Sequence, residues 1–148
     1  MHHVRITHLP GNNDLPLPEK MSSGSSGFDL HAAVRETTLI KSGESVLIPT
    51  GIAIAMPSSL EAQVRSRSGL ALKHGICVLN SPGTIDSDYR GEICVILYNV
   101  SSTSFQVERG DRIAQLVFNE VPAIQLQVVN ELDDTARGSG GFGSTGNR

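Results

Sequence analysis

The chain has 148 residues, enough for one domain with a sizeable core. A hydrophobic fraction of 39 % marks it as globular rather than disordered, and with 4 % aromatics and no Trp that core has to be aliphatic. A formal net charge of -3 argues against a general nucleic-acid binder, which needs a basic surplus to meet phosphates, but leaves room for a small anion held by a few clustered Arg.

No apolar run approaches the ~20 residues of a membrane span, and the first residues lack the charged, apolar and small-residue order of a secretory signal. The expectation is a cytoplasmic protein with no membrane partner. Cys77 and Cys94 lie in apolar runs and are expected to be reduced, buried and small hydrophobes; they show no zinc spacing.

In chain order, residues 1–26 form an arm: an apolar start from Val4 to Leu9, then Pro10, Pro16, Pro18 and a Ser/Gly stretch. Residues 27–130 read as a β core. Glu44 to Pro49 is closed by Pro49-Thr50-Gly51, and Ile52 to Met56 stops at Pro57. Glu61 to Arg65 alternates. Glu92 to Asn99 is a near-continuous apolar run with β-branched residues, and Arg112 to Phe118 and Ile124 to Val129 complete the set. Turn signals recur roughly every 8–12 residues, as in a sandwich or barrel. Only Ser68 to His74 reads as helical, with Ser68 as its cap and Leu70, Ala71 and Leu72 as helix formers. Residues 131–148 turn polar and Gly-rich. The fold class is therefore all-β with one short helix.

Four segments read as more than scaffold. Gly83 to Gly91 carries Asp86, Asp88, Tyr89 and Arg90 just before a buried strand. Asp and Gly suit a plain hairpin tip, yet an acid beside Ile85 at a strand-like position is costly unless paired, and a partly shielded carboxylate there could deprotonate a water. Arg65 to Ala71 places Arg and Ser at a helix start, either as an ordinary cap or as an anion site. Gly110-Asp111-Arg112-Ile113-Ala114-Gln115 leads a turn into a strand; Ile113, Leu116 and Phe118 look like core, and Gln115 alone reads as a surface strand residue. The tail from Arg137 to Gly146 contains G-x-G-x-x-G at Gly138, Gly140 and Gly143. A dinucleotide fingerprint would have to follow a strand and open a helix, and no Gly-Lys-Ser/Thr follows for a phosphate loop. The tail is either a flexible linker or a lid in which glycines admit phosphates, Arg137 supplies charge and Phe142 stacks on a base.

Together these segments resemble, in order, the five motifs of the trimeric dUTPases. Ser26 to Ala33 is similar to the first and Arg67-Ser68-Gly69-Leu70-Ala71 to the second. Gly83 to Gly91 is similar to the third, Gly110 to Gln115 to the fourth, and Arg137 to Gly146 to the fifth. Ser26, Ser66 and Thr84 depart from the commoner pattern beside the chemistry, not in it. The resemblance implies a distorted jelly roll that assembles as a homotrimer, with sites at subunit interfaces. It implies hydrolysis of dUTP to dUMP and pyrophosphate with Mg²⁺, keeping uracil out of DNA and supplying dUMP for dTMP synthesis. On that likeness Asp86 activates the water, and Tyr89 packs under the deoxyribose. Asn80, with the backbone of Gly83, Thr84 and Ile85, reads uracil. Arg67, Ser68, Gly69 and Gln115 meet the phosphates. Asp29 holds waters of the Mg²⁺ shell. Arg137, Gly140, Gly141, Phe142, Gly143, Ser144 and Thr145 close over the nucleotide. Magnesium keeps several waters and rides on substrate phosphates, so scattered acids suffice.

Two rivals share the fold. A dCTP deaminase-like enzyme needs a glutamate in the strand after the third motif, where this chain has Ile96. A non-catalytic nucleotide-binding relative should lose the acid, the Tyr or the tail, and this chain keeps all three. His31 and His74 are read as structural.

Overall fold

The computed structural model describes residues 1–141. Its strands are β1 (Arg5–His8), β2 (Phe28–His31), β3 (Thr38–Ile40), β4 (Ser45–Pro49), β5 (Ile52–Ala55), β6 (Leu60–Arg65), β7 (Ile76–Val78), β8 (Gly83–Ile85), β9 (Cys94–Asn99), β10 (Phe105–Val107) and β11 (Arg112–Glu120), with the single helix α1 (Ser68–His74) between β6 and β7. The chain is mostly β with one short helix, as its composition and turn spacing predict.

Side-chain alternation decides which face of each strand is inside. In β6, Leu60, Ala62 and Val64 are buried while Glu61, Gln63 and Arg65 turn outward. In β9, Val95, Leu97 and Asn99 point in. Asn99 is fully buried yet satisfied: its Nδ2 donates to Ile40 O and Thr103 O, and its Oδ1 accepts from the Ser101 N–H at 2.9 Å. The core cluster runs through all the sheets and is aliphatic, centred on Leu30, Ile40, Ile48, Ile93, Leu97 and Leu116.

All pairings are antiparallel, and most join strands distant in sequence. The sheet that positions the site has the order β2-β11-β6-β8. Its two edges, β2 and β8, carry the first and third motifs. β11 is the longest strand, and its pairing with β2 slips between Arg112 and Ala114. Ile113 and Ala114, at that slip, are both buried.

Three expectations need correction. Ile124 to Val129 forms no strand: Ile124, Leu126 and Val128 are 75 %, 92 % and 97 % exposed. Their alternation is strand-like, but within the described chain no sheet edge receives them. Ser68 does not cap α1. Arg67 is the N-cap, in extended backbone with no side-chain cap bond, and Ser68 is already the first helical residue. The helix is closed by Gly75 at φ +64°, whose N–H reaches Ala71 O, with Lys73 and His74 in the last turn where cations suit the dipole. Cys77 and Cys94 are free but half-buried rather than buried; burial still pushes the Cys94 thiol up.

Candidate functional site

The third-motif residues follow the turn that carries the chain from β7 in one sheet to β8 in another. Leu79 to Pro82 make that turn, with a cis Ser81–Pro82 peptide, and β8 pairs onto β6 through Gly83↔Val64 and Ile85↔Ala62. A side chain at Gly83 would meet Asn80 Nδ2 at 3.0 Å, so the glycine lets the Asn80 amide lie against the start of β8. Asp86 is the first residue beyond β8, and its carboxylate is exposed rather than partly shielded. The following turn is fastened by the Tyr89 N–H donating to Asp86 O at 3.1 Å, and by Arg90 Nη1 donating to Ser87 O and Tyr89 O. Tyr89 lies over Gly91, where a Cβ would stand 2.6 Å from Tyr89 Cζ, and its hydroxyl donates to Glu92 O at 3.0 Å. The ring is therefore held from below with one face free. Asp86, Ser87 and Asp88 border an open cleft of 620 Å³ with Ser58, Leu60, Glu61 and Val121. Three carboxylates on that side do not match an anionic substrate by themselves.

The cationic charge gathers around Asp29, which lies on the other edge strand. Asp29, on β2, is 1 % exposed. Its Oδ2 accepts from Arg112 Nη1 at 3.1 Å, its Oδ1 accepts from Gln115 Nε2 at 3.1 Å, and Arg67 Nε stands 3.8 Å from Oδ1. Arg67 is also fixed by Nη1 donating to Arg112 O at 2.7 Å. The slip in β11 makes this possible. Residues three apart on a regular strand point to opposite faces, but the extra residue restores parity and lets Arg112 and Gln115 reach one carboxylate. Gly27 keeps the space beside them, since a Cβ there would lie 3.1 Å from Gln115 Cβ. His31, opposite Arg112, has a buried Nδ1 without a partner, and burial pushes its imidazole down against the pull of Asp29.

The structure thus brings Arg67, Gln115 and Asp29 together, while Asn80, Gly83, Thr84, Ile85, Asp86 and Tyr89 follow one another along and beside β8. With strands about 4.8 Å apart, Asp29 on β2 is roughly 14 Å from β8 across the sheet. Ser68 and Gly69 are exposed at the start of α1. Ser66, which stands where proline is commoner, accepts from the Val78 N–H at 2.8 Å and ties the Arg67 loop to β7. In the tail, Arg137 is exposed and bonds only locally, donating to Gly140 O at 2.8 Å; Gly140 and Gly141 end the described residues. Phe142, Gly143, Ser144 and Thr145 lie outside them. Arg112 was not singled out as a site residue by its sequence context. Its motif was visible, but the slip that aims it at Asp29 was not.

Comparison with known proteins closes the description. The family model described as dUTPase matches residues 13–146. The deoxyuridine 5'-triphosphate nucleotidohydrolase of Neorickettsia sennetsu is 54 % identical, with 97 % of each chain covered. That of Caulobacter vibrioides is 50 % identical, covering 97 % of this chain and 94 % of its own. Among solved structures, a mutant dUTPase of Staphylococcus bacteriophage 80alpha with dUpNHpp superposes with a TM-score of 0.86 at 25 % identity, over 97 % of this chain and 98 % of that one. A mutant dUTPase of phage phi11 of S. aureus, described with a structural Mg(II) ion, shares the fold at 22 % identity and a TM-score of 0.79, over 89 % of this chain and 99 % of that one.

Proposed function

This chain belongs to the dUTPase family, and we infer from that membership and the site geometry that it hydrolyses dUTP to dUMP and pyrophosphate. The observation that carries the mechanism is the position of Asp86: exposed, directly after edge strand β8, with Asn80 just before that strand and Tyr89 just after it. An exposed carboxylate on a rigid strand end can hold a water and take its proton as that water attacks the α-phosphorus. Tyr89, supported by Gly91 and Glu92 O, offers a flat face for the deoxyribose and leaves no room for a ribose 2′-hydroxyl. Asn80 and the backbone of Gly83, Thr84 and Ile85 read the uracil edge, where hydrogen bonds of the wrong polarity exclude cytosine. Arg67, Ser68, Gly69 and Gln115 bind the phosphates, and positioning with charge neutralisation supplies most of the rate. Arg137, Gly140, Gly141, Phe142, Gly143, Ser144 and Thr145 form a lid that orders on the nucleotide.

The working form is a homotrimer. The family likeness implies this, and one feature of the chain supports it. The exposed apolar alternation of Ile124, Leu126 and Val128 suits burial against a neighbouring copy.

Mg²⁺ is the implied metal. Among the described residues no cluster of three His, Cys, Asp or Glu could hold one, which suits an ion carried by phosphates and water. The family likeness gives Asp29 a role through that water shell. Each Asp29 oxygen accepts one protein hydrogen bond, which leaves on each a lone pair to which a water of that shell could donate. Among the described residues no helix is long and apolar enough to cross a membrane. We place the enzyme in the cytoplasm, a setting that suits its two free cysteines.

Asp86→Asn tests the mechanism. Turnover of dUTP should fall by at least about a hundredfold while binding of a non-hydrolysable dUTP analogue is retained. Unchanged turnover would falsify the role of Asp86.

A further inference from the structure

We propose that Asp29 is a positioning residue for a two-arginine phosphate receptor, and that Arg112 is its second phosphate-binding member. The inference rests on the dUTP reading of this site.

A carboxylate that is 1 % exposed is costly unless paired and hydrogen-bonded. Asp29 meets that demand by holding donors from two elements outside its own strand: Arg112 and Gln115 of β11, and Arg67 at the start of α1. One negative charge faces two positive ones, so the cluster keeps a net positive charge. The carboxylate side chain is 2 % exposed, those of Arg67 and Arg112 24 % and 46 %, so the excess charge lies toward solvent. Each guanidinium has five N–H donors. Arg112 spends Nη1 on Asp29 and on Met21 Sδ, and among the described residues its Nε and Nη2 have no partner. Arg67 spends Nη1 on Arg112 O, and its Nη2 has no partner among the described residues. Arg67 and Arg112 line a 260 Å³ cleft together with Leu70, Phe105, Asp111 and Ile113. Asp111, the one acid there, is turned into its own loop, where Oδ2 accepts from the Glu108 N–H at 2.8 Å.

Asp29 thus does for the arginines what they cannot do for each other. Two adjacent guanidiniums repel, and long side chains lose rotamer freedom when fixed. A buried carboxylate between them removes the repulsion and sets both planes before substrate arrives. The β11 slip is the backbone device that directs Arg112 to this duty.

The experiment is calorimetric binding of α,β-imido-dUTP and of dUMP, each with Mg²⁺ and with EDTA, to the wild-type trimer, Arg112→Gln, Arg112→Lys and Asp29→Asn. Arg112→Gln alters a half-exposed side chain and tests the receptor even if Asp29→Asn folds poorly. The expected result is a loss of at least about tenfold in triphosphate-analogue affinity for Arg112→Gln and Asp29→Asn, the scale of one charge-assisted hydrogen bond. The same factor should appear with and without Mg²⁺, and dUMP affinity should stay within about threefold of wild type. Arg112→Lys should restore less than half of the lost binding free energy, because a point charge cannot serve carboxylate and phosphate together. Wild-type analogue affinity in Arg112→Gln overturns the receptor. A loss in Asp29→Asn seen only with Mg²⁺ overturns positioning in favour of the metal-water role. An equal loss for dUMP overturns both parts. If the wild-type trimer releases no pyrophosphate from dUTP, the functional reading fails first and takes this inference with it.

Discussion

At one edge of the four-stranded sheet Asp29 is sealed among Arg112, Gln115 and Arg67; at the other Asp86 stands exposed beyond β8, with Glu61 and Asp88 on the same cleft. The two carboxylates belong to one sheet and meet opposite conditions. A buried charge has to be paired within the chain, so the fold itself completes the Asp29 cluster. An exposed charge costs the fold little, so Asp86 needs no partner from the fold. One edge is therefore completed by folding, and the proposed function leaves the other to substrate and a neighbouring subunit.

The tail gives the largest effect on that contrast. Among the described residues, those from 137 onward are exposed or half-buried and hydrogen-bond only within the tail, so a protein lacking residues 137–148 is expected to keep its core. Turnover of dUTP should fall by at least about a hundredfold, with melting temperature and trimer mass unchanged in calorimetry and light scattering. Unfolding or dissociation of the truncated protein would show that the tail is scaffold and not lid. Gly91→Ala acts next. A Cβ there collides with the Tyr89 ring, so the dUTP-over-UTP preference in kcat/KM should fall by about tenfold while turnover of dUTP changes less. An unaltered preference would remove Tyr89 from sugar selection.

The smallest effect contrasts the buried ion pair with an exposed one. Arg109 Nη2 donates to Asp14 Oδ1 at 2.7 Å and holds the Asp14 carboxyl below its usual value of 3.8. A lowered folded pKa contributes stability that is present above the unfolded value and lost as pH falls through the folded one. Wild-type protein should therefore lose a little stability below about pH 4 that Asp14→Asn does not lose, read as melting temperature against pH. A large difference between the two at pH 7 would mean that the pair anchors the N-terminal arm more strongly than an exposed pair should.

Much of the β core was legible because alternation and turn residues act locally. The limits of β4, β5, β6 and β11 and the extent of α1 follow from Pro49, Pro57, Gly75 and the run into Phe118. Two features were not legible, for related reasons. Ile124, Leu126 and Val128 carry a sound strand pattern, but a strand also needs an edge to pair with, and the pattern does not say which chain provides it. Arg112 and Gln115 look like opposite-facing residues until the register slip is known, and a slip depends on the partner strand rather than on the sequence of β11 alone. The reading of Gln115 as a plain surface residue failed on the same ground. Asp86 and Tyr89 stand out because five motifs in order resemble one family; their own segment also suits a plain turn.

The most direct test is pyrophosphate and ammonia release by the wild-type protein offered dUTP, dTTP, dCTP and UTP in parallel. Pyrophosphate from dUTP, at a kcat/KM at least about a hundredfold above the other three, is the predicted result. Ammonia from dCTP, or similar rates on all four nucleotides, would contradict it.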